Sequence, residues 1–200
     1  AARASTGGGS ETAVSGGLLV TGGGTFDDAD EADVQQLDTS GTHAQVPTCT
    51  QAMADIQSGS QTLAALAPTS DFGEIVLTPG EELDINAGPG VTVIKAGKVG
   101  VRSRLAVGFA TLRINTVPET EAVIINTERL SVGSYSNIEG GGGKTFINVI
   151  GPGTAVRYGR FARVDVRVLA PERVLRIAGA FFFTMNGTYA RSVFVRAAQP

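Results

Sequence analysis

Hydrophobic and polar residues alternate with a period of two along most of the chain after Glu74. In Ala162–Val168, Ala and three Val residues alternate with Arg163, Asp165 and Arg167. This period is typical of a strand with one buried side and one solvent-facing side. The pattern predicts strands at Ile75–Leu77, Val91–Ile94, Arg104–Val107, Thr111–Asn115, Ala122–Asn126, Leu130–Val132, Phe146–Ile150, Ala155–Tyr158, Arg163–Leu169, Val174–Ile177, Ala180–Thr184 and Ser192–Arg196.

One segment before these strands has helical spacing instead. Large apolar residues recur there at near-helical intervals among alanines: Met53, Ile56, Leu63 and Leu66. Thr48 and Gln51 fit a capping box at the start, and Pro68 ends the pattern. We therefore predict a helix over residues 49–67, with its apolar side packed on the sheet that follows.

Glycine and proline mark the turns, most strongly at Gly88–Gly90 and Gly151–Gly153. Many short strands with close turns fit two architectures: an antiparallel sandwich or jelly roll, and a solenoid of parallel strands. Two-residue hairpin loops are scarce, which favours the solenoid, although no strict sequence repeat is visible. The predicted fold is mainly β, a parallel β-helix with one flanking α-helix, and the antiparallel jelly roll is the alternative.

The corner at Gly108–Ala110 adds to the argument for a solenoid. A change of strand parity there would let Leu105 and Val107, and then Leu112 and Ile114, all point inward. Corners between the strands of a solenoid need such a change, so we expect these four side chains in the core.

The order of several segments resembles the choice-of-anchor A domain, a family of bacterial surface and secreted proteins also described as collagen-binding-like. The most specific part is the step Val168–Pro171, followed by a strand, the turn Asn186–Thr188 and a terminal strand. The other segments that carry the resemblance are Leu63–Pro68, Ile75–Gly88, Ala110–Thr127, Phe146–Gly159 and Val166–Ala197. The resemblance implies a right-handed β-helix with a flanking helix, exported, with a role in adhesion or surface structure.

Length and composition agree with one main domain. The 200-residue chain is 42% hydrophobic and 18% charged, and its 27 glycines suit short strands and frequent turns. Residues 1–46 form a Gly/Ser-rich and acidic lead-in, interpreted as an assembly arm or first coil, and residues 47–200 form the β-helix domain. The chain starts without Met, which we interpret as a processed, exported chain.

Charge is distributed unevenly along the sequence. Residues 101–200 contain thirteen Arg or Lys residues and six acids, whereas acids dominate residues 1–100. A solvated outer surface is the preferred interpretation, and head-to-tail pairing of acidic and basic ends between subunits is the alternative. The net charge of −3 predicts no nucleic-acid partner, and the short apolar runs predict no membrane insertion.

The acidic stretch near the N-terminus offers a weak candidate Ca²⁺ site, composed of Asp27, Asp28, Asp30, Glu31 and Asp33. The spacing fails as an EF-hand because Ala32 stands at the fifth position and Asp33 stands where Gly is required. A solvated acidic loop is therefore preferred, and no cofactor is expected.

No other group of residues predicts catalysis. His43, the only histidine, lies in a polar stretch and is interpreted as an exposed loop residue. Cys49, the only cysteine, is interpreted as a buried, inert thiol, and a disulfide within the chain is excluded. Gly140–Thr145 ends like a phosphate-binding loop but has Ile138 where the first Gly is required. We predict that the protein is not an enzyme.

The remaining candidates are interaction residues. Phe181 and Phe183 point to the same side of a predicted strand, where either the helix or a partner would cover them, and Arg163 and Arg167 flank Asp165 on a wet face. We expect a secreted bacterial surface or extracellular protein with a structural or adhesive role, self-associating into filaments or a biofilm matrix, with an extracellular polymer as a further partner. The alternatives are a coat-type jelly-roll subunit and a polysaccharide-acting β-helix enzyme.

Overall fold

A computed structural model describes residues 49–140, 143–178 and 187–196 of the chain. In this part of the chain, one helix precedes fourteen strands. The elements are α1 (Cys49–Ala64), β1 (Ser70–Asp71), β2 (Glu74–Leu77), β3 (Glu82–Ala87), β4 (Gly90–Ala96), β5 (Lys98–Val101), β6 (Thr111–Thr116), β7 (Thr120–Thr127), β8 (Leu130–Val132), β9 (Asn137–Gly140), β10 (Thr145–Val149), β11 (Val156–Tyr158), β12 (Arg163–Asp165), β13 (Arg167–Ala178) and β14 (Thr188–Arg196).

The strands form two sheets. One has the order β1-β4-β7-β10-β13-β11-β8-β5-β2, with β14 also paired to β13, and the other has the order β12-β9-β6-β3. All strand pairs in these sheets are parallel within the described residues. The predicted predominance of parallel β structure is confirmed, and the antiparallel jelly-roll or sandwich alternative is wrong.

The chain returns to the same lateral position after every third strand. For example, β2 pairs with β5, β5 with β8, and β8 with β11, while β3, β6, β9 and β12 pair in the same way. We call each set of three successive strands a level, so that β1–β3 are the first level and β10–β12 the fourth. Strand β13 spans two positions of the next level, because its first half pairs with β10 and its second half with β11.

Inward side chains of both sheets share one hydrophobic core. In-register pairing stacks similar side chains above one another, as in the column of Leu112, Ile138 and Val164. All three are buried, and their neighbours along each strand point to the opposite side. Alternation within a strand therefore decides which side chain enters the core, and parallel register decides which side chain lies above it.

Helix α1 packs on the outward surface of the ten-stranded sheet through two buried asparagines. Asn148 Nδ2 donates to the Ser60 carbonyl and to Oδ1 of Asn126, both at 2.9 Å. Ser60 Oγ donates to Asn148 Oδ1 at 2.6 Å, and Asn126 Nδ2 donates to the Leu63 carbonyl at 2.8 Å. These contacts are polar, whereas Met53, Ile56 and Leu63 of the predicted apolar side are only half-buried. The helix therefore lies on the sheet, but not through the apolar packing that was expected, and it ends at Ala64, three residues earlier than predicted.

The prediction of a strand at Arg104–Val107 is wrong. These residues lie in a turn between β5 and β6, and Leu105 and Val107 are 69% and 62% exposed instead of pointing inward. Leu112 and Ile114 do point into the core. Alternation alone could not separate the two pairs, because an exposed loop can carry the same spacing of apolar residues as a strand.

The strand predicted at Arg163–Leu169 is divided by a corner at Val166. Val164, Val166 and Val168 are all buried, as the alternation predicts. However, β12 belongs to the four-stranded sheet and β13 to the ten-stranded sheet. The alternation continues through the corner without a change of parity, so the sequence pattern has no mark of the bend.

Candidate functional site

Strand β14 forms an open edge of the ten-stranded sheet, since within the described residues it pairs with β13 alone. Its register places Val193 beside Leu175, a buried core residue, and so assigns Val193 an inward position. Val193 is nevertheless 57% exposed. This edge thus presents an uncovered position of the core together with a row of backbone groups, a combination that favours pairing with another strand.

The β14 edge is also basic. Arg191 and Arg196 lie on β14, and the strand contains no acidic residue. Phe194 is exposed beside Arg176 of β13. The edge therefore combines apolar and cationic groups.

The first level has the opposite charge. Strands β1, β2 and β3 are the terminal strands of their sheets in the described part of the chain, and we call them the first-level edge. Residues 69–89 contain five acids and no Lys or Arg. All five are exposed: Asp71, Glu74, Glu81, Glu82 and Asp84. The described strands thus end in an acidic edge on one side and a basic edge on the other.

The outward side of the four-stranded sheet carries mostly polar residues. Alternation directs the aliphatic residues of β3, β6, β9 and β12 inward and leaves the residues between them outward. We call these outward residues the polar face: Glu82, Asp84, Asn86, Thr111, Arg113, Asn115, Asn137, Glu139, Arg163 and Asp165.

Arg113 joins three strands of the polar face. Its Nη1 and Nη2 donate to the two carboxylate oxygens of Glu82 at 2.8 and 3.2 Å, and its Nε donates to Glu139 Oε2 at 3.2 Å. The hydrogen bonds and charge of Arg113 lower the pKa of Glu82, and Glu82 in turn raises the pKa of Arg113. Because the pair is exposed to solvent, its role is to orient the side chains rather than to stabilise the fold.

An open depression of about 300 Å³ lies beside this network. It is lined by Arg113, Ile114, Asn115, Thr116, Glu139 and Gly140. Guanidinium, carboxylate, amide and hydroxyl groups together can donate and accept hydrogen bonds, as a polyhydroxyl ligand requires. Within the described residues, no group of three or more His, Cys, Asp or Glu residues could hold a metal ion.

Three aromatic residues stack at the corners that lead into β6, β9 and β12. The ring centroids of Phe109 and Tyr135 are 6.4 Å apart, and those of Tyr135 and Phe161 are 4.8 Å apart in a stacked pair. Tyr135 and Phe161 have φ values of 59° and 57°, in the left-handed region that non-glycine residues rarely adopt. The stack thus ties successive levels together at the rim of the polar face.

The predicted interaction residues lie apart from one another. Arg163 is exposed on the polar face, whereas Arg167 lies on the other sheet with its guanidinium 5.4 Å from the centroid of the Phe146 ring. Phe181, Phe183, His43 and the candidate Ca²⁺ ligands lie outside the described residues, and the side chain of Cys49 does as well. Residues 145–149 form β10, so the predicted strand after the glycine run is confirmed.

The aromatic stack and the Arg113 network were not predicted from the sequence. A signal for the stack exists, because residues 109, 135 and 161 are 26 positions apart and the strands after them pair with the same offset. Each aromatic residue is followed by a small buried residue, then a polar one, then a buried aliphatic one. Only residue classes repeat at this period, so a search for strict repeats does not detect it.

Helix α1 has 16 residues, and within the described part of the chain no helix has the length and apolar character needed to cross a membrane. Comparison of the chain with models of protein families, with curated proteins and with solved structures finds no match.

Proposed function

We propose that this protein is a secreted bacterial surface or extracellular protein with a structural or adhesive role, which assembles head to tail through its two end edges. The observation that carries the proposal is the β14 edge, where Val193 holds a core position and is 57% exposed. A strand from a second copy that pairs with β14 would cover this position and continue the core.

The underlying fold in this proposal is a right-handed parallel β-helix. Three strands per level, parallel pairing between levels and one shared core support the solenoid. Right-handed connections predominate strongly between parallel strands of one sheet, which supports the proposed hand. A solenoid has two ends by construction, and each end needs a cap or a partner.

Charge complementarity supports the choice of a second copy as the partner. The first-level edge contributes acids and no bases, while β14 contributes Arg191 and Arg196 and no acids. Two of the edge acids have partners within the same chain, since Glu74 pairs with Lys98 at 3.6 Å and Glu82 with Arg113 at 2.8 Å. The other acids of the edge keep its charge negative, so acidic and basic ends attract each other and like ends repel.

Sedimentation of the purified full chain over a range of concentrations and salt tests this proposal. We expect association that increases with concentration and weakens as salt screens the charged ends. Val193→Asp places a carboxylate at the uncovered core position and should abolish association. Val117→Asp, at an exposed position in the turn between β6 and β7, is the matched control and should associate like the parent.

A charge exchange tests the pairing of the two ends directly. Arg191→Glu should weaken association, and adding Asp84→Lys on the first-level edge should restore part of it. A parent chain that stays monomeric at high concentration and is indifferent to salt would refute head-to-tail assembly. Negative-stain images of the associated material should show filaments.

A second candidate function concerns the polar face. Glu139 and Asp165 are in-register neighbours on β9 and β12, and Glu139 also lines the depression beside Arg113. This arrangement favours contact with a polysaccharide, either as an adhesin or as an enzyme. Retention of the chain on insoluble polysaccharides, lost in Glu139→Gln, would support adhesion, whereas release of shortened sugar chains would support the enzyme alternative.

A further inference from the structure

The corner between β5 and β6 contains an insertion. Nine residues separate these strands, 102–110, whereas four residues fill each of the three equivalent corners, 78–81, 133–136 and 159–162. Residues Arg102–Phe109 make up most of the longer corner, and we call them the Arg102–Phe109 loop. The comparison shows that the corner can be closed with five fewer residues, so the fold does not need the extra length.

Hydrogen bonds hold this loop in a defined shape. The Arg104 carbonyl accepts from the backbone N–H groups of Val107 and Gly108, both at 2.9 Å. At the base, Ser103 Oγ accepts from the Ala110 N–H at 2.7 Å and lies 2.9 Å from Ser136 Oγ of the next level. The loop is therefore anchored to the core strands and presents its tip in a fixed conformation.

The tip is apolar and exposed. Leu105 is 69%, Val107 62% and Phe109 54% exposed, and Leu105 and Val107 are the most exposed large hydrophobic residues of the described chain. Leu105 and Val107 at the tip, with the half-exposed ring of Phe109 against Tyr135 at the base, form a patch of the kind that usually marks an interaction site. Single exposed hydrophobic residues elsewhere need no such explanation.

The charge of the loop identifies the kind of partner. Arg102 and Arg104 are exposed, and neither takes part in an ion pair within the described residues. From Lys98 to Pro118 the sequence contains no acid. An apolar tip that directly follows two arginines complements a surface that is anionic outside and apolar just beneath, which is the arrangement of a lipid bilayer with anionic headgroups.

We propose that the Arg102–Phe109 loop docks on the anionic surface of a lipid bilayer, with Leu105 and Val107 entering the headgroup region and Arg102 and Arg104 contacting lipid phosphates. No apolar run of the sequence has the length of a membrane-spanning helix, but a loop tip that enters only the interface needs no such run. The protein thereby attaches to a membrane surface through the corner between β5 and β6.

The proposed assembly adds to this attachment. A head-to-tail filament carries one loop per copy, so weak contacts of single loops combine into tight binding. This step rests on the proposed function, whereas docking of a single loop does not. Head-to-tail assembly and docking of a single loop can therefore be refuted separately.

Co-sedimentation with vesicles tests the docking. We expect the chain to bind vesicles of phosphatidylcholine and phosphatidylglycerol in equal parts, and to bind phosphatidylcholine vesicles much more weakly. Arg102→Gln with Arg104→Gln should weaken binding by about tenfold to thirtyfold, at about 1 kcal/mol for each arginine. Leu105→Ser with Val107→Ser should weaken it by about tenfold or more.

Two control variants separate the loop from general effects. Arg157→Gln removes an exposed positive charge from β11, and Val117→Ser removes an exposed apolar side chain from another turn. Both should bind vesicles like the parent. Circular dichroism of each variant checks that the strands remain folded.

The outcomes are distinguishable. Loop variants that still self-associate but lose vesicle binding support docking, and Val193→Asp should keep weak, loop-dependent binding even if assembly is lost. Binding that is equal in the parent and both loop variants overturns the proposal, as does a parent chain that binds neither kind of vesicle. In either case the exposed loop would be assigned to an interface with another protein instead.

Discussion

Gly153 lies against the guanidinium group of Arg173 so closely that a Cβ atom at position 153 would overlap Nη1 of the arginine. Arg173 is only 3% exposed. Its nitrogens donate to the carbonyls of Gly151 at 2.5 Å, Thr154 at 3.0 Å, Glu128 at 2.9 Å and Ile150 at 2.8 Å.

This arginine joins the corners of three levels. Glu128 lies between β7 and β8, residues 150–154 lie between β10 and β11, and Arg173 lies where β13 bends. Burial lowers the pKa of Arg173, while the nearby charges of Glu172 and Glu128 oppose this shift. The carbonyl hydrogen bonds therefore compensate for the removal of a cation from water.

Arg173→Lys should destabilise the protein strongly, because one ammonium group cannot reach the four carbonyls that the guanidinium contacts. We expect a loss of about 3 kcal/mol, which corresponds to a decrease in Tm of about 6–12 °C. Thermal unfolding followed by circular dichroism measures this effect. Arg176→Lys, on an exposed side chain of the same strand, should leave Tm nearly unchanged, and an equal effect of both variants would contradict the structural role of Arg173.

Gly153→Ala should destabilise the protein by about 1–3 kcal/mol, because the added methyl group displaces the guanidinium from its carbonyl partners. Part of the cost comes from the φ of 152° at Gly153 and should remain in the Arg173→Lys background. The part that comes from the contact should be lost there, which a double-mutant cycle of unfolding free energies detects. Gly88→Ala is the control, since a Cβ atom there meets no atom within 4 Å. Additive effects of the Gly153 and Arg173 substitutions would exclude the contact between them.

Asn148→Ala should loosen helix α1. The substitution leaves Ser60 and the Oδ1 atom of Asn126 buried without their partner, at a cost of about 1–3 kcal/mol. Amide hydrogen exchange should accelerate in α1 while the core strands remain protected. Asn115→Ala removes an exposed side-chain hydrogen bond to Asn86 and should change neither the stability nor the exchange rate of α1. Equal exchange rates of the helix in both variants would argue against the asparagine contacts.

Stability should decrease at alkaline pH because of Tyr158. Burial raises the pKa of this phenol above its ordinary value of 10.0, and the hydrogen bond with Thr188 only partly opposes this. The unfolded chain therefore releases the proton first, so the stabilisation is complete below pH 10 and is lost as the pH rises above that value, by up to about 1.4 kcal/mol per pH unit.

Unfolding free energies measured from neutral pH to pH values above 10 test this prediction. Tyr158→Phe should lower stability at neutral pH by about 1 kcal/mol through loss of the hydroxyl contact, but its stability should fall less steeply in alkali than that of the parent. Tyr189→Phe, on an exposed side chain of β14, should retain the steep alkaline decrease. Parallel pH profiles for all three proteins would rule out a role of Tyr158.

The strands that the sequence predicts well are those rich in Val and Ile. Several strands with at most two Val, Leu or Ile residues each were missed, among them β3 (Glu82–Ala87), β5 (Lys98–Val101) and β9 (Asn137–Gly140). Of these, β3 and β9 supply much of the polar face. Residues of a binding surface face solvent, so the hydrophobic pattern of the sequence is weak in the strands that supply many of the polar residues of the site.

The uneven charge of the sequence predicted an acidic and a basic half, and the structure locates part of each on an end edge. Position in the sequence becomes position along the stacked levels, because each level follows the previous one in chain order. By contrast, nothing in the local pattern separated Leu105 and Val107, on an exposed loop, from Leu112 and Ile114 in the core.

Taken alone, the sequence determined that the chain is rich in short strands, that a helix precedes them, and that Val164, Val166 and Val168 are buried. These properties follow from local alternation, turn residues and helical spacing, all of which can be recognised within a short stretch of sequence. Tertiary structure alone decided that Val166 is a corner, that Arg113 reaches two other strands, and that Arg173 joins three levels. The contacts of Arg113 and Arg173 join residues that lie 19 to 45 positions apart in the chain, where side-chain geometry and register, rather than residue type, select the partner.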